Sequence, residues 1–454
     1  MRLASPWTPR LAGDKGPPSE RLAAALAEDI GGGVLAAGAR LPPHRDLAYR
    51  LGIGIGTVTR AYAVLERRGL VESVHGRGTF VAGGAARPAG PVDLAVNTPP
   101  AMLGEKVLAA TLASLSRRID PDLLGSYQPP GGRHEHRLAM ARWLERHGLD
   151  ADPERLVLCH GAQHALSIAF AAASRPGATI LAEAATYPGA LALARQGGYR
   201  LQPVGMDGEG MRPDLLDRAL AALPEPRLVY LMPTLQNPTT ATMGSTRREE
   251  IARVCRARDA VAVEDDVYAL CAEGAPPPLS ALMPERCFHV SSLSKSLSPG
   301  LRFGALVAPP AWHRAALDGM RATSLMVSPL SCQIVEQWLA DGTAQSVAAA
   351  IRAEARARTA AVRAAFGGRV RVGEGGGFHA WLPLPRAAAL DLTARAAAAG
   401  IAVTAPDTVM VDPDAGESGV RLCLGRPPAE VLRRALATLA GLLDGEGPAA
   451  ALPV

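Results

Sequence analysis

The chain has 454 residues, 48% hydrophobic and 20% charged, with a net charge of +5. That composition is globular, and the length calls for two or three domains. No run of 18 apolar residues occurs and the first residues lack a signal peptide's apolar stretch. Six cysteines stand singly at 159, 255, 271, 287, 332 and 423. These features argue against a membrane span, a metal site or a disulfide framework, and predict a cytoplasmic protein.

The positive charge is concentrated at the start. Residues 1–84 hold 11 Lys+Arg against 7 Asp+Glu, a surplus of +4, which leaves +1 for the other 370 residues. A small basic unit is what a binder of the phosphate backbone requires. Within it, residues 19–30 have the pattern of an amphipathic helix. A turn at Gly38–Pro43 leads to a short helix over His44–Leu51, broken by Gly52-Ile53-Gly54. A second helix follows from Gly56 to Arg68, with Val58, Ala61, Tyr62 and Leu65 on one face. Leu70–Val74 and Thr79–Val81, around a glycine-rich tip, predict a two-stranded wing. Helix, turn, helix and wing is a layout that reads DNA.

We divide the chain into residues 1–81, a Gly/Pro/Ala linker at 82–91, and a body over 92–454 whose portion from about 330 onward is smaller. The body alternates buried strands with helices, the pattern of an α/β fold with a mostly parallel sheet covered on both faces. Its strands are predicted around 156–158, 179–181, 228–231, 261–263, 288–290 and 305–307.

Only three of the 48 basic residues are lysines, Lys15, Lys106 and Lys295. Lys295 lies in Ser292-Leu293-Ser294-Lys295-Ser296. Arginine substitutes for lysine as a surface charge. It does not substitute for an amine that must lose its proton and attack a carbonyl. Other polar groups follow the predicted strands: Gly161-Ala162-Gln163, Asn237, and Asp265 with Tyr268. Strand ends of an open α/β sheet converge on one crevice. The set matches the needs of pyridoxal 5′-phosphate. Asp265 would pair with the ring nitrogen, and Asn237 and Tyr268 would bond the ring oxygen. Tyr187 would stack on the ring. Ala162 and Gln163, at a helix start, would join Ser292, Ser294 and Arg302 on the phosphate.

The stretch Gly38–Val81 resembles the winged helix-turn-helix of GntR-family regulators. It carries Leu41-Pro42-Pro43-His44-Arg45-Asp46-Leu47-Ala48, Thr57-Val58-Thr59-Arg60-Ala61-Tyr62 and Gly76-Arg77-Gly78-Thr79-Phe80-Val81. The resemblance implies DNA contacts by Arg45, Thr57, Thr59, Arg60 and Arg77. Gly54-Ile55-Gly56 departs from the Ser-Arg or Asn-Arg usual before the Thr-Val pair. Residues 95–440 resemble fold-type-I aminotransferases. That likeness implies that Tyr127 reaches the cofactor phosphate of a second subunit, hence a homodimer, and that Arg421 binds a substrate carboxylate. Together, head and body resemble the MocR subgroup of transcription regulators. In these terms the protein binds double-stranded DNA and senses an amine or amino acid, or pyridoxal phosphate itself, by exchange at Lys295. The alternative is an active aminotransferase with an appended DNA-binding-like head.

Overall fold

The computed structural model describes residues 7, 10–12, 16–31, 34–36, 38–67, 70–74, 78–81 and 91–445. The chain divides into two compact units, one ending at Gly90 and the other beginning at Pro91. The linker at 82–90, the wing tip with Arg77, and residues 446–454 lie outside the described residues.

The first unit contains α1 (Pro18–Gly31), α2 (His44–Leu51), α3 (Ile55–Arg67), β1 (Val71–Val74) and β2 (Gly78–Val81). Its helices form where the apolar spacing predicts them, because Leu22 and Leu26 of α1, Leu47 of α2 and Val58, Tyr62 and Leu65 of α3 share one buried core. Gly52 ends α2 in the left-handed conformation, with φ 63°, which costs glycine nothing. The second helix begins one residue earlier than expected, at Ile55. Gly54 supplies the first carbonyl, accepting from the Thr57 amide at 2.9 Å. The Tyr62 hydroxyl donates to the Pro42 carbonyl at 2.7 Å, locking α3 to the turn before α2. β1 and β2 pair antiparallel, Val71 opposite Val81, as a wing should.

The second unit is built on a seven-stranded sheet. In chain order its strands are β4 (Leu156–Cys159), β5 (Thr179–Glu183), β6 (Arg200–Val204), β9 (Leu228–Leu231), β10 (Val261–Asp265), β11 (Cys287–Ser292) and β12 (Gly304–Val307). A two-strand hairpin, β7 (Met206–Asp207) and β8 (Gly210–Met211), interrupts the series after β6. The sheet order is β4-β12-β11-β10-β9-β5-β6, with β12 the one strand running against the rest. Alternate residues enter different cores. Val261 and Val263 of β10, with Leu228 and Tyr230 of β9, face the helix Ala162–Ala173. Ala262, Val229 and Leu231 face the helices Pro213–Ala222 and Ser245–Ala257. Both faces are covered, so these strands read as continuous apolar runs. β6 was not anticipated; its Arg-Leu-Gln-Pro-Val sequence carries no apolar run, and it sits at the sheet edge.

The smaller portion contains β13 (Arg371–Val372), β14 (His379–Pro385), β15 (Ile401–Val403) and β16 (Glu417–Cys423). β14 pairs antiparallel with both β13 and β16. Its composition differs from the expected 330–454 block in two ways. The helix Pro329–Ala340 packs into the large core through Cys332, Ile334, Val335 and Trp338. The smaller core also takes in β3 (Val92–Leu94), at the body's start, which pairs parallel with β15. The 24-residue helix Thr343–Phe366 bridges the two, giving Val347 and Ile351 to one core and Val362 and Phe366 to the other.

Candidate cofactor site

Strand parity fixes what faces the crevice. Asp265 shares a face with Val261 and Val263, while Glu264 and Asp266 turn to the opposite side. There Glu264 accepts from the Leu279 and Ser280 amides at 2.6 and 3.0 Å and contacts His289 Nδ1 at 3.1 Å. Of the three carboxylates in this run, only Asp265 lines the cavity.

The cavity brings together Ala162, Gln163, Tyr187, Asn237, Asp265, Tyr268, Ser292, Ser294, Lys295 and Arg302. Gly161 stands at its edge with φ 78°. That backbone conformation favours glycine, and the Arg302 guanidinium would lie 2.8 Å from a β-carbon placed there. Arg302, exposed at the rim, donates to the His160 carbonyl at 3.1 Å and is thereby held beside the first turn of the helix Ala162–Ala173. The first amides of a helix have no acceptor within it, so this corner presents N–H groups and a guanidinium to one anion. Ser294 lies beside them. The Ser292 hydroxyl is committed within the turn: it reaches the Phe303 carbonyl at 3.0 Å and receives the Ser294 amide at 3.1 Å. It also lines the cavity, 2.9 Å from the Ser294 hydroxyl.

On the same cavity, Asp265 accepts from the Tyr230 hydroxyl at 3.0 Å through Oδ2, while its buried Oδ1 has no partner. Burial pushes the carboxyl up to about 7, against the Tyr230 hydrogen bond that lowers it. An unsatisfied buried carboxylate oxygen calls for a donor or cation from a ligand. Lys295 is half-buried and its Nζ donates to the Asn97 carbonyl at 2.5 Å. Burial lowers the amine to about 8, so part of it is uncharged near neutrality.

Arg421 on β16 is buried and donates to Asn237 Oδ1 at 2.6 Å, to the Thr404 hydroxyl at 3.0 Å and to the Ala95 carbonyl at 2.9 Å. A guanidinium only donates, so the Asn237 oxygen faces Arg421 and its amide N–H₂ is turned to the cavity. Tyr187 precedes the helix Pro188–Gly197 and is partly buried on the cavity wall. Tyr127 is not brought into this chain's cavity; it is 81% exposed.

Two residues escaped the sequence reading. Tyr230 interrupts an aliphatic strand, and that interruption was a usable signal. Asn97 lies in an irregular segment and carried none.

In the first unit, Arg45 and Arg60 are exposed and Thr57 is half-buried. The Thr59 hydroxyl donates to the Ile55 carbonyl at 3.1 Å and lies 3.2 Å from His44 Nδ1, so it ties α3 to α2.

The aminotransferase class I and II family matches residues 89–439, and the gntR family of bacterial regulatory proteins matches residues 18–81. The chain belongs to the aminotransferase class I and II family and carries a GntR-family head. That pairing defines the MocR subgroup. The HTH-type transcriptional regulator TauR of Rhodobacter capsulatus is 31% identical over 88% of this chain and 91% of its own. The vitamin B6 salvage pathway transcriptional repressor PtsJ of Salmonella typhimurium is 30% identical over 79% of this chain and 84% of its own. Among solved structures, the α-aminoadipate aminotransferase LysN of Thermus thermophilus, complexed with N-(5′-phosphopyridoxyl)-L-leucine, has a TM-score of 0.71. It is 27% identical and covers 79% of this chain and 93% of its own. An archaeal alanine:glyoxylate aminotransferase shares the fold, with a TM-score of 0.72 at 23% identity over 86% of this chain and 95% of its own. The family's cofactor is pyridoxal 5′-phosphate. The donor set fits it: an anion corner at Gly161 and Arg302, an amine at Lys295, and an unpaired carboxylate oxygen at Asp265.

Proposed function

We propose that this protein is a transcription regulator that binds promoter DNA through its first unit and senses an amine or amino acid at the Lys295 site. The observation that carries the reading is the cofactor donor set gathered around Lys295 in a chain that also bears a GntR-family head. Bound pyridoxal phosphate supplies an aldehyde conjugated to an electron-withdrawing ring. Lys295 offers a partly uncharged amine for that aldehyde. Asp265 holds a cation against Oδ1 and gains the partner that burial denies it. Ala162, Gln163, Ser292, Ser294 and Arg302 would hold the phosphate, and Tyr187 would cover the ring. Arg421, oriented by Thr404 and Asn237, receives an effector carboxylate. An effector changes DNA binding only to the extent that it prefers one arrangement of the protein over another.

The same reading includes a homodimer. The helix Glu105–Leu115 buries Thr111 and Leu115 but exposes Leu108 and Leu112, one turn apart, and Leu124 and Tyr127 nearby in sequence are also exposed. An apolar face of this kind suits a second copy. Head contacts to DNA are assigned to Arg45, Thr57, Arg60 and Arg77, with Thr59 supporting them.

The alternative, a working aminotransferase, draws on the same donor set. Amino acids added to purified, cofactor-loaded protein separate the two. A regulator shifts the visible spectrum, changes promoter affinity and releases no keto acid at a useful rate. Rapid keto-acid release with no promoter binding would establish the enzyme.

A further inference from the structure

We propose that Asn97 is a positioning residue of this site, one that turns the Tyr268 phenol proton toward the cofactor and strengthens its donation there. The proposal rests on the cofactor reading above.

Asn97 lies between β3 and the helix Glu105–Leu115 and touches the site twice. Its carbonyl accepts from Lys295 Nζ at 2.5 Å, and its side-chain Nδ2 donates to the Tyr268 hydroxyl at 2.6 Å. Among the described residues Asn97 is the hydrogen-bond partner of that phenol. A phenol has one proton to give and a lone pair to receive. With the lone pair filled by an amide N–H, the proton points away from Asn97. A donor on the phenol oxygen also makes the O–H a stronger donor, since linked hydrogen bonds polarise one another.

Tyr268 is buried, with its ring 5.8 Å from Lys295 Nζ and 5.3 Å from the His379 ring. The groups that face the Tyr268–Lys295 pair are Arg421 and Cys423 from β16, His379 from β14, Cys271 and Asp265 from β10 and its following segment, and Tyr187. Burial drives the His379 imidazole down to about 3, so it stays neutral. Arg421 is a fixed positive charge. These groups set the baseline, and among the described residues only Asn97 bonds the phenol.

The other end of the same amide is costly. Asn97 Oδ1 is buried with no donor. Packing alone would be better served by an apolar side chain, because an unsatisfied buried oxygen destabilises the fold. The residue is explained by its N–H on Tyr268.

The test uses full-length protein loaded with pyridoxal phosphate and follows its visible absorbance against pH. Donation to the ring oxygen lowers the pH at which the bound cofactor loses its proton. Asn97→Ala weakens that donation and should raise the midpoint by roughly half to one pH unit. Asn97→Asp presents only acceptors, draws the phenol proton to itself and adds negative charge, so its midpoint should lie higher still. Tyr268→Phe should raise the midpoint, and adding Asn97→Ala to it should change nothing further. Unmoved midpoints in both Asn97 variants would overturn the proposal, as would a full Asn97→Ala shift in the Tyr268→Phe background. A wild-type protein with no Lys295-dependent visible band would instead overturn the cofactor reading, and this proposal with it.

Discussion

Asp265 carries a conflict between stability and binding. Its carboxyl is raised to about 7 by burial. A raised acid stabilises fully below its unfolded value, near 4, and that contribution is lost as pH climbs through 7. In cofactor-free protein the Asp265 contribution therefore falls from mild acid to neutrality, opposite in sign to that of His379, whose lowered imidazole adds stability as pH rises toward 6.5. Asp265→Asn removes the buried charge while keeping an acceptor for Tyr230. At pH 8, thermal melting of the cofactor-free variant should match or exceed wild type, while titration shows cofactor affinity reduced about tenfold or more. Undiminished affinity would contradict the pairing. Asp265 was legible from its spacing after an apolar run and from the family resemblance. The equal burial of Glu264 and Asp266 on the far face was not, because a parallel strand covered on both sides shows no alternation. The role given to Tyr127 rests on the resemblance alone; its side chain is 81% exposed in this chain.

At the scale of elements, the head shows how far local chemistry specifies structure. Periodicity placed α1, α2 and α3 within a residue or two because one core collects all three apolar faces. It did not reveal the Tyr62–Pro42 bond, which joins residues twenty apart. Tyr62→Phe should cost about 1 kcal/mol in denaturant unfolding of the head, the net value of one buried hydrogen bond. Arg45→Ala with Arg60→Ala should leave helicity unchanged and abolish the promoter gel shift. Each phosphate contact removed should also flatten the salt dependence of binding by about one unit of log slope. An unchanged shift in the double variant would remove DNA binding from these helices.

The whole molecule holds the pairing that no local signal predicts. β3 and β15 are adjacent in the sheet but about three hundred residues apart in sequence, so the smaller core could not be bounded by reading along the chain. For the same reason the segment after β3 gave no signal in the sequence, although the Ala95 and Asn97 carbonyls accept from Arg421 and Lys295. The assembly is predicted to be a dimer that shares its sites. Sedimentation equilibrium should give twice the chain mass, and Leu112→Glu should shift it toward one chain and reduce bound cofactor together. All of this depends on the amine at Lys295. Borohydride reduction of cofactor-loaded protein, followed by peptide mass spectrometry, tests it most directly. The phosphopyridoxyl mass should appear on the peptide containing Lys295 and vanish from the Lys295→Ala variant; its absence from that peptide, or its appearance on Lys15 or Lys106 instead, would contradict the account.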